Sequence, residues 1–241
     1  MLTKKDILLG ITNYNQISEV DSYIKKMLPV WNVKDCIVVD DCSTDGSDLV
    51  FEKHGFKVIR NSTNTGNGAG VRKSALYAKE NGYSVLVLNS SNGKMLPEEI
   101  SVVIDPILKG EADYVTGNRY LKGGSSPGLS LFRQISIPLF SLFYSLLLGK
   151  RFSDITCGFR AYKIDFLFSG KMNIEQDWLN RYEMEYYIHY YACKLKLRIK
   201  EVPVNIIYNH LSKGRTSKIA PIVGWWKMIR PILYLKIGLK K

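Results

Sequence analysis

Residues 85–98 read VLVLNSSNGKMLPE. Val85 to Leu88 is a short apolar run of the length and β-branched character of a strand buried on both faces. Asn89, Ser90, Ser91, Asn92, Gly93 and Lys94 follow at once. In an open α/β sheet the carboxyl ends of the strands are where ligands bind. A strand that stops in small hydrogen-bonding groups and one ammonium therefore reads as the floor of a site. Pro97-Glu98-Glu99 then supplies a helix start, with proline in the first turn and acids facing the helix dipole. Taken alone, the segment reads equally well as a solvated loop between strand and helix.

The chain around it alternates strand and helix. Ile7–Ile11 is an apolar strand ending in the turn Thr12-Asn13-Tyr14-Asn15. Val20, Tyr23, Ile24 and Met27 have helical spacing, and Pro29 closes that helix. Cys36–Val39 is a second buried strand, stopping at Asp40-Asp41. A helix through Leu49 and Phe51 ends at Gly55, Phe56–Ile59 is a third strand, and Val71–Glu80 is a helix after the Gly/Asn-rich segment 61–70. This rhythm predicts an α/β fold with a mostly parallel sheet and helices on both faces. Three segments then converge on one rim: Asp40-Asp41, Asn64 to Gly70, and Asn89 to Lys94. Carboxylates there can accept from a base N–H or a ribose hydroxyl. A glycine-rich segment entering a helix can offer backbone N–H groups to phosphate. The competing reading of Asp40-Asp41 is helix capping, with Ser43 or Asp45 as the cap.

An apolar fraction of 46% with 23% charged residues is that of a globular chain, one domain or a domain with an extension. The four cysteines lack C-x-x-C spacing, the three histidines form no H-x-x-x-H pair, and the N-terminus runs directly into a strand. Reduced thiols, no histidine metal site and no signal peptide are expected. The net charge of +12 is concentrated: residues 211–241 hold eight basic residues and no acid. That asymmetry points to a polyanion or an anionic membrane surface. The basic residues are interleaved with bulky aliphatics, which argues against nucleic acid.

VVDDCSTDGS, NTGNGAGVRKSA, the strand-end segment with PEEI, TGNRYLKGG, DITCGFRAYK and EVPV occur in this order. Together, over about residues 7–218, they resemble the family 2 glycosyltransferases of GT-A fold, most closely the polyprenyl- or dolichol-phosphate mannose and glucose synthases. The resemblance implies that Thr12, Tyr14, Asp40, Asp41 and Ser43 hold the nucleoside, with Asn67, Gly68 and Ser91 also on the nucleotide. It implies that Arg119, Arg133, Ser136 and Arg160 surround the sugar and acceptor phosphates. Arg215, Ser217 and Lys218 look like the family's late basic loop that closes over the donor.

The departure lies at the centre. Family members carry a D-x-D there, whose last Asp helps hold a divalent metal; this chain has Ser90-Ser91-Asn92, with Lys94 two positions on. Asn and Ser are poor partners for a hard cation, which prefers carboxylate oxygens, and Lys94 would repel it. The Glu usual after Tyr-Asn is Gln16 as well. The reading therefore expects no metal ligands and no certain cofactor beyond the donor, with magnesium or manganese disfavoured. Asn92, Lys94 and Arg119 become the catalytic candidates, Lys94 standing in for the metal on the diphosphate. The rival account is decay to a non-catalytic nucleotide-sugar-binding protein.

Arg133–Leu148 is apolar nearly all round, but at about 15 residues it falls short of the roughly 20 that span a bilayer. An interfacial helix and a core helix both fit it. The aromatic stretch from Trp178 to Tyr191 reads as core and groove wall. The C-terminal segment mixes Trp225, Trp226 and Tyr234 with Lys227, Arg230 and Lys236, as a basic amphipathic surface helix would. The expected organisation is a GT-A domain over residues 1–218 and a membrane-surface segment over 219–241. The expected activity is inverting transfer from a nucleotide-diphospho-sugar to a polyprenyl phosphate, in cell-surface glycan synthesis. The expected place is cytoplasmic, peripheral on the inner face of the membrane. A soluble polysaccharide acceptor is the alternative; it requires a carboxylate base, with Asp154 and Glu185 as candidates. Oligomeric state is not legible in the sequence.

Overall fold

The computed structural model describes residues 2–208 and 223–240. In chain order the elements are β1 (Ile7–Asn13), α1 (Ile17–Met27), β2 (Cys36–Asp40), α2 (Ser47–Lys53), β3 (Lys57–Arg60), α3 (Asn67–Glu80), β4 (Val85–Ser90), α4 (Ile100–Leu108), β5 (Tyr114–Asn118), α5 (Leu131–Leu148), β6 (Arg160–Lys163), α6 (Ile164–Leu167), α7 (Glu183–Lys194), β7 (Ile199–Pro203) and α8 (Val223–Lys236). The strands form one sheet in the order β3-β2-β1-β4-β6-β5-β7. All neighbours run parallel except β6, which is antiparallel to both β4 and β5.

Alternation along the buried strands sends side chains to two cores. Ile7, Leu9 and Ile11 of β1, with Val85 and Val87 of β4, pack against Val20, Tyr23 and Ile24 of α1 and Val103, Ile104 and Ile107 of α4. Leu8 of β1 and Leu86 and Leu88 of β4 face the other way, onto Val71, Ala75 and Ala78 of α3 and Met184, Tyr187 and Ile188 of α7. This double cover is why these strands read as continuous apolar runs rather than as alternating ones.

Strand order reverses between β1 and β4: β2 and β3 lie on one side of β1, and β4 lies on the other. The crevice outside the carboxyl ends of β1 and β4 is thus the topological switch point, where this class of sheet binds ligands. The segment Asn89–Lys94 lies at its edge.

Three elements differ from the sequence expectation. α3 begins at Asn67, four residues before Val71, because its glycines do not break the helix but let another segment approach it. α5 is 18 residues, long and apolar enough to cross a membrane by length and composition. The expected 15 missed its first turn, where the amides of Arg133 and Gln134 bond the Ser130 carbonyl. The helix in the aromatic stretch begins only at Glu183, after a single 3-10 turn at Asp177–Leu179.

α8 is docked on α7 and α5. Ile232 and Leu235 are buried, the Tyr144 hydroxyl donates to the Met228 carbonyl, and the Arg230 guanidinium pairs with the buried Glu183. Arg215, Ser217 and Lys218 fall outside the described residues.

Candidate active site

The ends of β1, β2 and β4 are tied together by Asn13, which is 2% exposed. Its Nδ2 donates to Asp40 Oδ1 (2.7 Å) and Ser47 Oγ (2.9 Å), and its Oδ1 accepts from Ser91 Oγ (2.6 Å). Ser43 donates to Asp40 from both its amide and its hydroxyl. The strand-end hydroxyl and carboxyl groups thereby satisfy one another, as buried polar atoms must. Asp40, Ser43 and Ser91 turn their polar atoms inward, because the parallel register brings Asn13 level with Asp40. Capping accounts for part of the same stretch: Asp45 accepts from the Ser47 amide at the start of α2, while Gly46 takes the cap position.

Asp41, the next residue, is half-buried and faces the other way. Its Oδ1 accepts from Asn61 Nδ2 and from the Thr65 amide and hydroxyl, each at 2.8 Å, and its Oδ2 accepts from the Gly66 amide at 2.8 Å. Burial raises its pKa, but these donors outweigh burial and hold the carboxyl below its ordinary value. Asp41 thus shapes the 61–66 loop, and Oδ2 keeps a lone pair for a ligand. Beside it a recess opens between Asn61, Thr65, Lys73 and Asn180. Thr12 and Tyr14 lie half-buried at the same rim.

The start of α3 is packed against residues 179–181. The Ala69 amide donates to the Asn180 carbonyl (3.0 Å), and a Cβ on Gly68 would stand 2.0 Å from the Leu179 carbonyl oxygen. Gly68 is therefore required by a close approach of the chain to itself. Asn67 is exposed and donates to Glu185 Oε1 (3.1 Å). Glu185 pairs in turn with Arg160 (3.3 Å). Arg160 has no exposed surface, since β6 lies inside the sheet between β4 and β5. As placed its guanidinium pairs with Glu185 and donates to the Ile155 carbonyl.

Arg119 is likewise turned inward. Its Nε and Nη2 form a fork on Asp154 (2.6 Å each), and its Nη1 donates to the Tyr208 hydroxyl (2.6 Å). Burial opposes its charge, but the Asp154 carboxylate raises its pKa regardless. Asp154 is fully buried in this pair, which removes it as a general base. The Glu201 carboxylate holds the Ser153 and Asp154 amides, so the pair is itself braced from β7.

Tyr208 is the meeting point the sequence did not reveal. Its ring lies 5.4 Å from Lys94 Nζ, and Arg133 is close enough to weigh electrostatically on its hydroxyl. Burial holds this phenol above its ordinary pKa, so it stays neutral near pH 7. Lys94 is placed by backbone bonds: Ile207 N donates to its carbonyl (2.9 Å), and Met95 bridges Ile206. Asn92 Oδ1 accepts from the Lys94 amide (3.1 Å), closing a local turn. Ser136 lies half-buried one turn beyond Arg133. The site therefore sets Lys94 against the Tyr208 ring, while Asp41 holds Asn61 and Thr65, which line the recess. Asn13 could have been suspected from its place directly after a buried strand; Tyr208 carries no local signal at all.

A family model described as Glycosyl transferase family 2 matches residues 9–168. The chain is 26% identical over 216 residues to the undecaprenyl-phosphate mannosyltransferase of Micrococcus luteus, covering 88% of this chain and 87% of that one. It is 27% identical over 254 residues to a UDP-N-acetylglucosamine–dolichyl-phosphate N-acetylglucosaminyltransferase of Methanococcus voltae, covering 98% of each. Among solved structures it is similar to glucosyl-3-phosphoglycerate synthase of Mycobacterium tuberculosis in complex with Mn2+, UDP-glucose and phosphoglyceric acid. The TM-score there is 0.65 at 18% identity, covering 98% of this chain and 80% of that one, a likeness that shows the GT-A fold alone.

Proposed function

This chain belongs to glycosyl transferase family 2, and from that membership we propose that it moves a sugar from a nucleoside-diphosphate sugar onto the phosphate of a polyprenyl lipid at a membrane surface. The observation that carries the acceptor is the double character of α5. Its first turn carries the half-buried Arg133, whose charge acts on Tyr208, while Leu131, Phe132, Ile135, Leu139, Leu142 and Leu146 are between 57% and 75% exposed. A lipid phosphate suits both: the headgroup at the arginine, the hydrocarbon along the helix. The two relatives named above bear polyprenyl- and dolichyl-phosphate acceptors in their names, which supports the same reading.

The chemistry asks little of a base. A lone pair on the acceptor phosphate oxygen forms the bond to the sugar's anomeric carbon. The bond from that carbon to the diphosphate breaks, and its electron pair leaves with the nucleotide. A phosphate acceptor is already ionised, so catalysis reduces to positioning and to stabilising the departing charge. A hydroxyl acceptor would need a base. Asp154 is spent on Arg119, and Glu185 is engaged by Arg160 and Asn67.

α5 lies in the interface and does not span it. Ser141 Oγ accepts from the Ile155 amide, Ser145 Oγ accepts from Phe152, and Tyr144 is buried, so the domain follows the helix along its length. The peripheral position is on the cytoplasmic leaflet, whose anionic lipids suit the basic C-terminal segment. Labelled UDP- and GDP-sugars offered with polyprenyl phosphate should put label into organic-extractable lipid. Label confined to water-soluble product would overturn the lipid acceptor.

A further inference from the structure

The solved relative described above holds Mn2+ with its UDP-glucose. The residues of this chain do not fit such an ion. From Asn89 to Pro97 there is no carboxylate. Ser91 Oγ is fully buried and donates to Asn13, Asn92 Oδ1 holds the Lys94 amide, and Asp40 is buried with both oxygens engaged by Asn13 and Ser43. Among the described residues no group of three His, Cys, Asp or Glu side chains is placed to hold a metal. Divalent Mg or Mn wants charged oxygen ligands, and here the strand end offers neutral amides, hydroxyls and an ammonium.

Resting on the glycosyltransferase reading above, we propose that the donor diphosphate is bound, and its departing charge neutralised, without a divalent metal. Lys94, held beside the Tyr208 ring, takes the metal's place, and Arg119 is the positioning residue that fixes the phenol. A diphosphate brings two or more negative charges that cannot enter a partly desolvated cleft uncompensated. At Tyr208 the Lys94 ammonium lies 5.4 Å from the ring and Arg119, paired with Asp154, donates to the hydroxyl, so cationic groups stand on both sides of this phenol. Lys94 follows directly on the strand end that faces the switch point, and the backbone bonds of residues 206 and 207 fix its main chain there. The electron pair released when the sugar–phosphate bond breaks would then meet an ammonium already in place. An ammonium placed in advance needs no reorganisation at the moment of reaction.

Calorimetry with UDP and GDP, and with uridine and guanosine as controls, tests this. The nucleotide that binds should do so with the same affinity in EDTA as in Mn2+. Lys94→Ala should weaken the diphosphate by roughly tenfold or more, the scale of a charge-assisted hydrogen bond, and leave the nucleoside unchanged. Asn92→Asp combined with Lys94→Gln rebuilds an oxygen pair and should make binding depend on Mn2+, visible also as bound Mn2+ by electron paramagnetic resonance. Lys94 is half-buried at a turn, so circular dichroism should show both variants folded. If EDTA abolishes binding by the natural chain and Mn2+ restores it, the metal-free inference is wrong and the glycosyltransferase reading stands. If the folded chain binds neither nucleotide in either buffer, that reading fails and the inference falls with it.

Discussion

His189 on α7 is fully buried, with its ring against Tyr114 and Phe152. Burial, and then the charge of Arg160, push its pKa well below the ordinary histidine value. In the unfolded chain the same ring titrates near 6.5. Below about pH 6.5 the unfolded chain therefore binds a proton that the folded chain refuses. The group's contribution is complete above that pH and is lost as the pH falls, with a slope of up to about 1.4 kcal/mol per pH unit. His189→Gln should flatten the fall in urea midpoint between pH 7.5 and 5 relative to the natural chain. Parallel curves for the two proteins would show that another group is responsible. The same physics governs Arg119 and Asp154: each buried charge is tolerable only because the other is there. That mutual dependence is why neither is spare for chemistry as a lone acid, base or cation.

At the scale of elements, how much could be read in the sequence depended on how local the cause was. β1, β2 and β4 were legible because strands covered on both faces must be apolar throughout, and β4 was off only at its polar end, Asn89-Ser90. The rim was legible too, since Asp41 directly follows β2 and Asn92 and Lys94 stand in the turn just after β4. The direction in which each side chain turns was not. Asp40 and Asp41 are identical neighbours, yet one faces Asn13 and the other the 61–66 loop, and only the register of β1 on β2 decides which. Gly68 is the sharpest case, for a glycine at a helix start suggests a phosphate cradle. What fills the space is the 179–181 segment, more than a hundred residues away in sequence. Gly68→Ala would force a methyl against the backbone oxygens of Leu179 and Arg181, and backbone cannot move aside as a side chain can. The expected loss is about 1–3 kcal/mol, the range of overpacked cores, read from denaturant midpoints. An unchanged midpoint would mean that the 179–181 segment does not hold that position in solution.

For the whole molecule the open question is orientation. The sheet presents its switch point between β1 and β4, α5 carries an apolar outer face, and the C-terminal eighth of the chain holds eight basic residues and no acid. An apolar helix face immersed among headgroups and a cationic segment drawn to anionic lipid would act together, the first insensitive to salt and the second weakened by it. Removing the C-terminal segment is a poor test, because Ile232 and Leu235 are buried and Arg230 covers Glu183, so truncation would expose α7. Surface substitutions are cleaner. Leu139 and Leu142 are 61% and 57% exposed, and Lys236 and Lys240 are exposed beyond the packed part of α8. Leu139→Glu with Leu142→Glu should abolish sedimentation with anionic vesicles at any salt concentration while leaving the melting temperature nearly unchanged. Lys236→Glu with Lys240→Glu should weaken sedimentation at low salt and matter little at high salt, where screening has already removed their contribution. Equal sedimentation of all three proteins would mean that neither surface meets the membrane, and α5 would need another partner for its apolar face.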